Sequence, residues 1–168
     1  MKTMMQSPFD SVFDEAENRY LQPEELKAIG QYVASISERM SAYRALRDHE
    51  IDLMQQAADQ MQLEMPSIET IALERTVKNG MLALRHCAMA MLLNDADYVQ
   101  KRLLSWLRDS IELHKDQGTD AVFFNLMKQQ LRLSLNAQQM ALLDPFLSLV
   151  DTVIQPQEEE MLTVAGIF

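Results

Sequence analysis

His86 and Cys87 stand side by side in the apolar stretch MLALRHCAMAMLL, and these residue types could bind a metal, hold a haem or act as a nucleophile. Adjacent side chains on a helix point about 100° apart, so the two do not converge on one ion. No His, Cys, Asp or Glu lies three or four positions from Cys87. We therefore predict that Cys87, the single cysteine of the chain, is a small buried hydrophobic residue.

The histidines raise a second possibility, which is haem binding. The chain has 3 of them, and His86 or His114 could serve as an axial ligand in a globin-like bundle. There is no CxxCH motif for covalent haem attachment. We expect His86 to be partly exposed or hydrogen-bonded, and a haem-binding or other ligand-binding sensor stays an alternative function.

Catalytic signatures are missing from the rest of the sequence. It contains no Gly-rich phosphate loop, no GxSxG and no HExxH. A single cysteine excludes an internal disulfide and CxxC zinc clusters. Because no acid, base and nucleophile can be grouped from these residues, we predict that the protein is not an enzyme and holds no metal.

Composition and charge narrow the class of protein further. The 168 residues include only 4 Gly and 5 Pro but 13 Met, a balance that favours helices. A net charge of -10 repels nucleic-acid phosphates, so nucleic acid is not an expected partner. No run of about 18 apolar residues could span a membrane. The N-terminus turns acidic early, unlike a signal peptide, and we expect a cytoplasmic protein.

Apolar residues recur at helical spacing along most of the chain, whereas the alternation of a strand does not persist. A short amphipathic helix starts behind Ser7, and a longer one starts behind Pro23 and either bends or continues near Asp48. The apolar stripe of the longer helix comprises Leu26, Ile29, Val33, Ile36 and Met40.

Capping residues set the other predicted helix boundaries. Ser67 is the expected N-cap of a helix that ends at Asn94, which can adopt the left-handed conformation. We expect Gly118 to close the next helix. Asn136 should cap the last helix, in which Pro145 should introduce a kink.

No internal repeat or linker divides the sequence. We predict one all-α domain over residues 1–168, built from about seven or eight helices. An N-terminal helical extension covers about residues 7–21, and a loose tail covers about residues 155–168. We place the single tryptophan, Trp106, in the core.

Several stretches resemble the subunits of phycobiliproteins, the globin-like light-harvesting proteins of cyanobacteria. EAENRYLQPEELKAIGQYVAS is similar to the opening of those subunits, in which an acidic-Ala-Glu-x-Arg-Tyr-Leu run precedes a helix. LALRHCAMAMLLNDADYVQKRLLSWLRDSI resembles their Leu-Arg run, their Gly-Asp turn and their Arg-x-Leu-x-x-Leu-Arg helix. LLDPFLSLVDTVI is similar to their last helix. The resemblance implies a phycocyanin-like fold, which is a globin-like bundle with two extra N-terminal helices.

The resemblance also indicates that the pigment site of the family is altered here. In the family, a cysteine followed by x-Arg-Asp lies nine residues before the arginine of the Leu-Arg run. Its sulfur forms a thioether to a linear tetrapyrrole, or bilin. The matching positions are Thr76, Lys78 and Asn79. Threonine cannot form that thioether, and a neutral amide cannot stabilise a cationic pyrrole system as a carboxylate does.

Cys87 does not replace the missing cysteine. It lies eleven residues after Thr76, which is about three turns and about 16 Å further along the helix axis. We therefore expect no covalently bound bilin and no bound cofactor, while transient binding of a free bilin stays an open question.

Subunits of the family pair through their N-terminal helices, with an acidic residue of one chain bonded to the helix arginine of the other. The resemblance places these two residues at Glu15 and Arg85, and the nearby tyrosine of the family at Tyr20. We expect a homodimer. The apolar residues that would supply most of its association energy are Phe9, Val12, Phe13 and Ala16.

Because this chain resembles the phycobiliproteins but has no cysteine at the attachment position, it resembles the group called bilin biosynthesis-associated globins. That resemblance implies a non-enzymatic accessory role in phycocyanobilin biosynthesis, by contact with a biosynthetic enzyme or brief receipt of its product. One alternative is a minor structural or regulatory component of the phycobilisome, and the other is the haem or ligand-binding sensor. Expected partners are a second copy, bilin-biosynthesis enzymes or phycobilisome subunits.

Overall fold

The computed structural model describes residues 17–114 and 117–155, and every regular element within these ranges is helical. The predicted all-α, globin-like class is confirmed. Along the chain the elements are α1 (Pro23–Glu64), α2 (Thr70–Leu93), α3 (Ala96–Val99), a π-helical segment (Gln100–Leu104), α4 (Ser105–His114), α5 (Gln117–Ser134) and α6 (Ala137–Ile154).

The first long helix, α1, is a single element of 42 residues, so the chain continues without a break at Asp48. At its start, the Arg19 guanidinium donates to the Glu25 carboxylate at 2.8 and 3.0 Å, and the Gln22 N–H donates to it at 2.7 Å. Together these bonds lower the pKa of Glu25 to about 2. Residues 17–21 are a turn and irregular chain, so the predicted helical extension does not reach them. The ion pair with Glu25 holds the Arg19 side chain at the start of α1.

The ends of α2 confirm one predicted cap and correct another. The N-cap is Glu69 and not Ser67, because the chain first makes a turn in which the Ile68 N–H bonds to the Met65 carbonyl at 3.1 Å. At the other end Asn94 is left-handed, with a φ of 51°, as predicted.

Two polar side chains of α1 bind the carbonyl end of α2. Buried Arg39 donates to the Met91 carbonyl, and the Tyr32 hydroxyl donates to the Leu92 carbonyl at 3.0 Å. Arg39 also donates from Nε to Ser35 Oγ at 2.8 Å. Burial lowers the pKa of Arg39. Both carbonyls lie in the last turn of α2, where the backbone provides no regular intrahelical N–H donor for them. Arg39 and Tyr32 provide side-chain donors in its place.

The chain between Ala96 and His114 is helical throughout, because the π-helical segment joins α3 directly to α4. Asp95 caps α3 by accepting the Asp97 N–H at 3.0 Å.

The prediction that Gly118 closes a helix is wrong, since this residue lies in the first turn of α5. It does not have the left-handed backbone that a helix-closing glycine adopts.

The last helix, α6, has the predicted cap. Asn136 Oδ1 accepts the Gln139 N–H at 2.8 Å, and Gln139 Oε1 accepts the Asn136 N–H at 3.1 Å. The Gln139 amide also donates to Ser41 Oγ at 3.1 Å, which ties α6 to α1. The helix runs through Pro145 as one element.

The core lies where α1, α2, α5 and α6 meet. Trp106 does not belong to it, contrary to the prediction, because 46% of its surface is exposed. Leu107 and Ile111 face inward from α4, and Trp106 is about 100° away from Leu107 around the helix. The largest side chains of the core include Met61, Leu84, Met91, Phe123 and Phe124. Among the described helices none is long and apolar enough to cross a membrane.

Candidate functional site

The three residues that the resemblance predicts at the pigment-attachment positions, Thr76, Lys78 and Asn79, lie in the first half of α2. Thr76 and Asn79 are buried, with 1% and 5% of their surface exposed, whereas Lys78 is exposed. Because Thr76 and Asn79 are three positions apart, they share one face of the helix, and Lys78 lies on another.

Helix α5 covers the face of α2 that carries Thr76 and Asn79. The ring of Phe123 lies so close to Gly80 that a Cβ added to the glycine would be 2.5 Å from ring carbon Cε1. Beside this pair, the Asn79 amide donates to the Asp120 carboxylate over a long 3.4 Å. Thr76, Asn79, Gly80, Asp120 and Phe123 together form the α2–α5 contact.

The chemistry of the α2–α5 contact differs from that of a pigment-attachment site. The Thr76 hydroxyl oxygen is buried and has no hydrogen-bond partner among the described residues. A hydroxyl does not form a thioether, and the Asn79 amide brings no negative charge. Phe123 is 1% exposed and packs directly on the helix. Sequence spacing could not reveal Asp120 or Phe123, because both lie more than 40 residues after Thr76.

Cys87 is completely buried, and its thiol donates to the Phe146 carbonyl at 3.5 Å. Burial raises the pKa of the Cys87 thiol, and the negative charge of Asp151 raises it further. The thiolate that a nucleophile or metal ligand requires is therefore disfavoured. The prediction that Cys87 is a packing residue is confirmed.

His86 is half-buried and hydrogen-bonded, as expected. Its Nδ1 lies 2.9 Å from the Leu82 carbonyl oxygen, and its ring centre lies 5.7 Å from that of Tyr98. His49 and His114 are exposed. Over residues 17–114 and 117–155, no group of three or more His, Cys, Asp or Glu side chains could hold a metal ion.

A partly open pocket of about 350 Å³ lies between α1 and α2. It combines apolar side chains and two tyrosines with two arginines, a glutamate and a histidine. This α1–α2 pocket is lined by Tyr43, Leu46, Arg47, Glu50, Leu84, Arg85, His86, Ala88, Met89 and Tyr98. Tyr98 comes from α3, and Arg102 lies 5.1 Å from the centre of its ring.

Arg85 lines the pocket with 62% of its side chain exposed. It donates to Glu50 from Nε at 2.7 Å and from Nη2 at 2.9 Å, and this pair raises the pKa of Arg85. The sequence does not indicate Glu50 as a partner of Arg85, because no spacing rule relates a residue of α1 to one 35 positions later. Only the packing of α1 on α2 brings the two side chains together.

The residues predicted for a dimer interface are only partly within the described ranges. Tyr20 is 96% exposed, and Arg85 is also accessible. The pairing of Glu15 with Arg85 of a second chain stays a prediction. The predicted interface residues that lie outside the described ranges are Phe9, Val12, Phe13, Glu15 and Ala16.

The first half of α1 presents an apolar face that the rest of the described chain leaves largely uncovered. Leu26 is 56% exposed, Val33 is 59% exposed and Met40 is 40% exposed. Ile29 and Ile36 between them are half-buried. These five residues form the apolar α1 face, and they follow the alternating spacing of three and four that suits packing against another helix.

A family model described as Phycobilisome protein matches residues 13–155, which is most of the chain. The matched range includes every described helix, the α2–α5 contact and the α1–α2 pocket. A search among curated proteins found no match.

Proposed function

The chain belongs to the phycobilisome protein family, and from this membership we propose that it is a bilin-free, non-enzymatic accessory protein of bilin biosynthesis. The observation that carries the proposal is Thr76, which stands where the resemblance places the attachment cysteine and is buried at the α2–α5 contact. A subunit that harvests light needs its pigment fixed in place. A subunit without that attachment has a different use for the same fold.

The arrangement of polar residues supports a non-enzymatic role. In the α1–α2 pocket, Glu50 is engaged by Arg85, and His86 Nδ1 is engaged by the Leu82 carbonyl. The neighbouring Cys87 thiol is buried and bonds to the Phe146 carbonyl, so neither Glu50 nor His86 activates it as a nucleophile. Assistance to an enzyme, through contact or product transfer, requires no such group.

A purified bilin reductase provides the test of this role. We expect the protein to co-elute with the reductase in size-exclusion chromatography. We also expect it to change the absorbance of the bilin product only when the reductase is present or has just formed that product. The biosynthetic role would be excluded if the two proteins do not co-elute and if the protein changes neither the product spectrum nor the release of the product.

The second candidate is a minor structural or regulatory component of the phycobilisome, which the family match and the apolar α1 face favour. A pull-down from cyanobacterial lysate separates the two candidates. The first predicts recovery of a bilin reductase or haem oxygenase, and the second predicts recovery of pigmented rod subunits and linker proteins.

We further propose a homodimer that uses the N-terminal segment, the apolar α1 face and Arg85. Burying apolar side chains at about 25 cal/mol per Å² would supply most of the association energy. The Arg85 pair with the partner's Glu15 would fix the register. Sedimentation should give a dimer for the wild type and a shift toward monomer for Arg85→Glu. The matched control Arg132→Glu changes an exposed arginine of α5 and should stay dimeric; a monomeric wild type would exclude this assembly.

A further inference from the structure

We infer that the α1–α2 pocket is a non-covalent binding site for a planar, largely apolar molecule that carries a carboxylate, namely the propionate-bearing end of a free open-chain tetrapyrrole. The pocket chemistry indicates the carboxylate and the apolar body, and the choice of a tetrapyrrole rests on the proposed function. This site differs from the altered attachment position. Arg85 lies nine residues from Thr76, about 13 Å along α2, and the pocket faces α1 whereas Thr76 faces α5.

The size and openness of the α1–α2 pocket set what can enter it. A volume of about 350 Å³ lies at the lower end of the range for small-molecule sites. An open-chain tetrapyrrole is larger than this space, so one end can enter while the remainder stays outside. Because the described residues leave the pocket partly open, the remainder extends outward through this opening.

The lining of the pocket suits a flat conjugated body. Leu84 and Ala88 are buried and give an apolar floor, and Met89 adds a flexible thioether beside them. Tyr43 and Tyr98 add aromatic side chains, which bind planar rings by stacked or edge-on contact.

Two guanidinium groups in the lining can receive the carboxylate. A guanidinium has five N–H donors. Arg85 uses two of them for Glu50, and Arg47 uses its Nε–H for Asp48. Donors therefore remain on both side chains within the described structure. An arginine binds a carboxylate through two parallel bonds, which also orients the ligand.

The α1–α2 pocket offers an anion hydrogen-bond donors and not a net positive charge. Its lining holds two arginines and one glutamate, and Asp48, which is bonded to Arg47 at 2.9 Å, balances the second arginine. Charges further away than about 8–10 Å are largely screened at physiological salt. The net charge of -10 for the chain therefore adds little repulsion at the pocket, and the remaining N–H donors of the two arginines favour a carboxylate.

Biliverdin is the probe, and its dimethyl ester is the matched control ligand, since the ester keeps the conjugated body and removes both carboxylate charges. Absorbance titration of the full chain should show saturable binding of biliverdin at one site per chain. The ester should bind about tenfold more weakly. Equal affinity for acid and ester, or no saturable binding of biliverdin, would overturn the inference.

Variants locate the site on the protein. Arg47→Gln should weaken biliverdin binding about tenfold, because its exposed side chain supplies donors without holding the fold together. Met89→Trp should weaken it at least as much by filling the pocket. Arg132→Gln on α5 and Thr76→Val at the α2–α5 contact should leave the affinity within about twofold of wild type. Loss of binding in Thr76→Val with full binding in Met89→Trp would place the ligand at the α2–α5 contact and refute the inference.

Haem carries the same propionates on a closed ring and forms the third arm of the titration. A Soret shift with haem in the absence of biliverdin binding would refute the open-chain ligand. The reductase experiment separates this inference from the proposed function. If biliverdin binds but the reductase has no effect, the pocket site is supported and the biosynthetic role is excluded. If the reductase has its expected effect but biliverdin does not bind, the biosynthetic role is supported and the pocket site is excluded.

Discussion

Gly80 and Phe123 show how a single residue controls the α2–α5 contact. An Ala at position 80 would place its Cβ 2.5 Å from the Phe123 ring, so ring or helix must shift. Overpacking of this kind costs more than the gain in helix propensity from Gly to Ala. We expect Gly80→Ala to lower the free energy of unfolding by about 1–2 kcal/mol, as measured by urea denaturation.

Gly30→Ala is the matched control for that measurement. Gly30 lies in α1, and an added Cβ there meets nothing within 4 Å. The substitution should stabilise the protein by up to about 1 kcal/mol, because alanine is the better helix former. If both variants change stability in the same direction, Phe123 does not pack on α2 as described.

Glu25 gives a residue-level prediction about pH. Its pKa is lowered from 4.5 to about 2, first by the hydrogen bond from Arg19 and then by the Gln22 backbone. Because the pKa of the folded state is the lower one, the contribution of this group to stability is complete above about pH 4.5. It is lost as the pH falls through about 2. An NMR titration should place the Glu25 midpoint near 2 in the wild type and move it back toward 4.5 in Arg19→Gln; a midpoint near 4.5 in both proteins would contradict the pair.

Contacts between elements hold α1 against the end of α2. The Tyr32 hydroxyl binds the Leu92 carbonyl at 3.0 Å, in the turn of α2 where carbonyls lack regular donors. Tyr32→Phe should therefore lower the free energy of unfolding by about 0.5–1.5 kcal/mol, and urea denaturation can measure the change. Tyr43→Phe is the control, since the described structure records no hydrogen bond from that hydroxyl; it should change stability by less than about 0.5 kcal/mol. An equal loss in both variants would mean that the bond to Leu92 contributes nothing of its own.

Element boundaries show what a sequence can predict and what it cannot. The predictions for Asn94 and Asn136 are confirmed, because each cap depends on the residue itself and on neighbours within five residues. The same rules give wrong predictions for Ser67 and Gly118. A turn ahead of α2 moves the cap to Glu69, and α5 begins before Gly118. Local rules rank the candidate residues, and the packing of the helices selects among them.

For the molecule as a whole, the sequence predicts the all-α class and the burial of Cys87. It could not predict contacts between distant segments. Phe123 on Gly80 and Arg85 on Glu50 join residues 43 and 35 positions apart. The sequence pattern indicates the apolar α1 face as a stripe, but its exposure follows only from the packing of the other helices.

The proposed dimer and the inferred ligand site share Arg85, and this links them thermodynamically. A ligand carboxylate and the partner's Glu15 would compete for the same guanidinium, and such coupling is reciprocal. Saturating biliverdin should therefore raise the monomer fraction in sedimentation. In Arg47→Gln the same shift should require about tenfold more biliverdin. A dimer that binds biliverdin with no change in its association constant would exclude competition at Arg85.

A denaturing gel shows whether this member of the phycobilisome protein family carries a covalently bound bilin. The protein is co-expressed with a bilin and suitable lyases, and the gel is soaked in zinc, which makes attached bilins fluoresce. A pigmented subunit of the family, expressed in parallel, verifies that attachment has occurred. We expect a dark band for this protein and a fluorescent band for the pigmented subunit. Any fluorescent wild-type band would contradict the proposed absence of a covalent bilin, and fluorescence that persists in Thr76→Val would place the attachment at another residue.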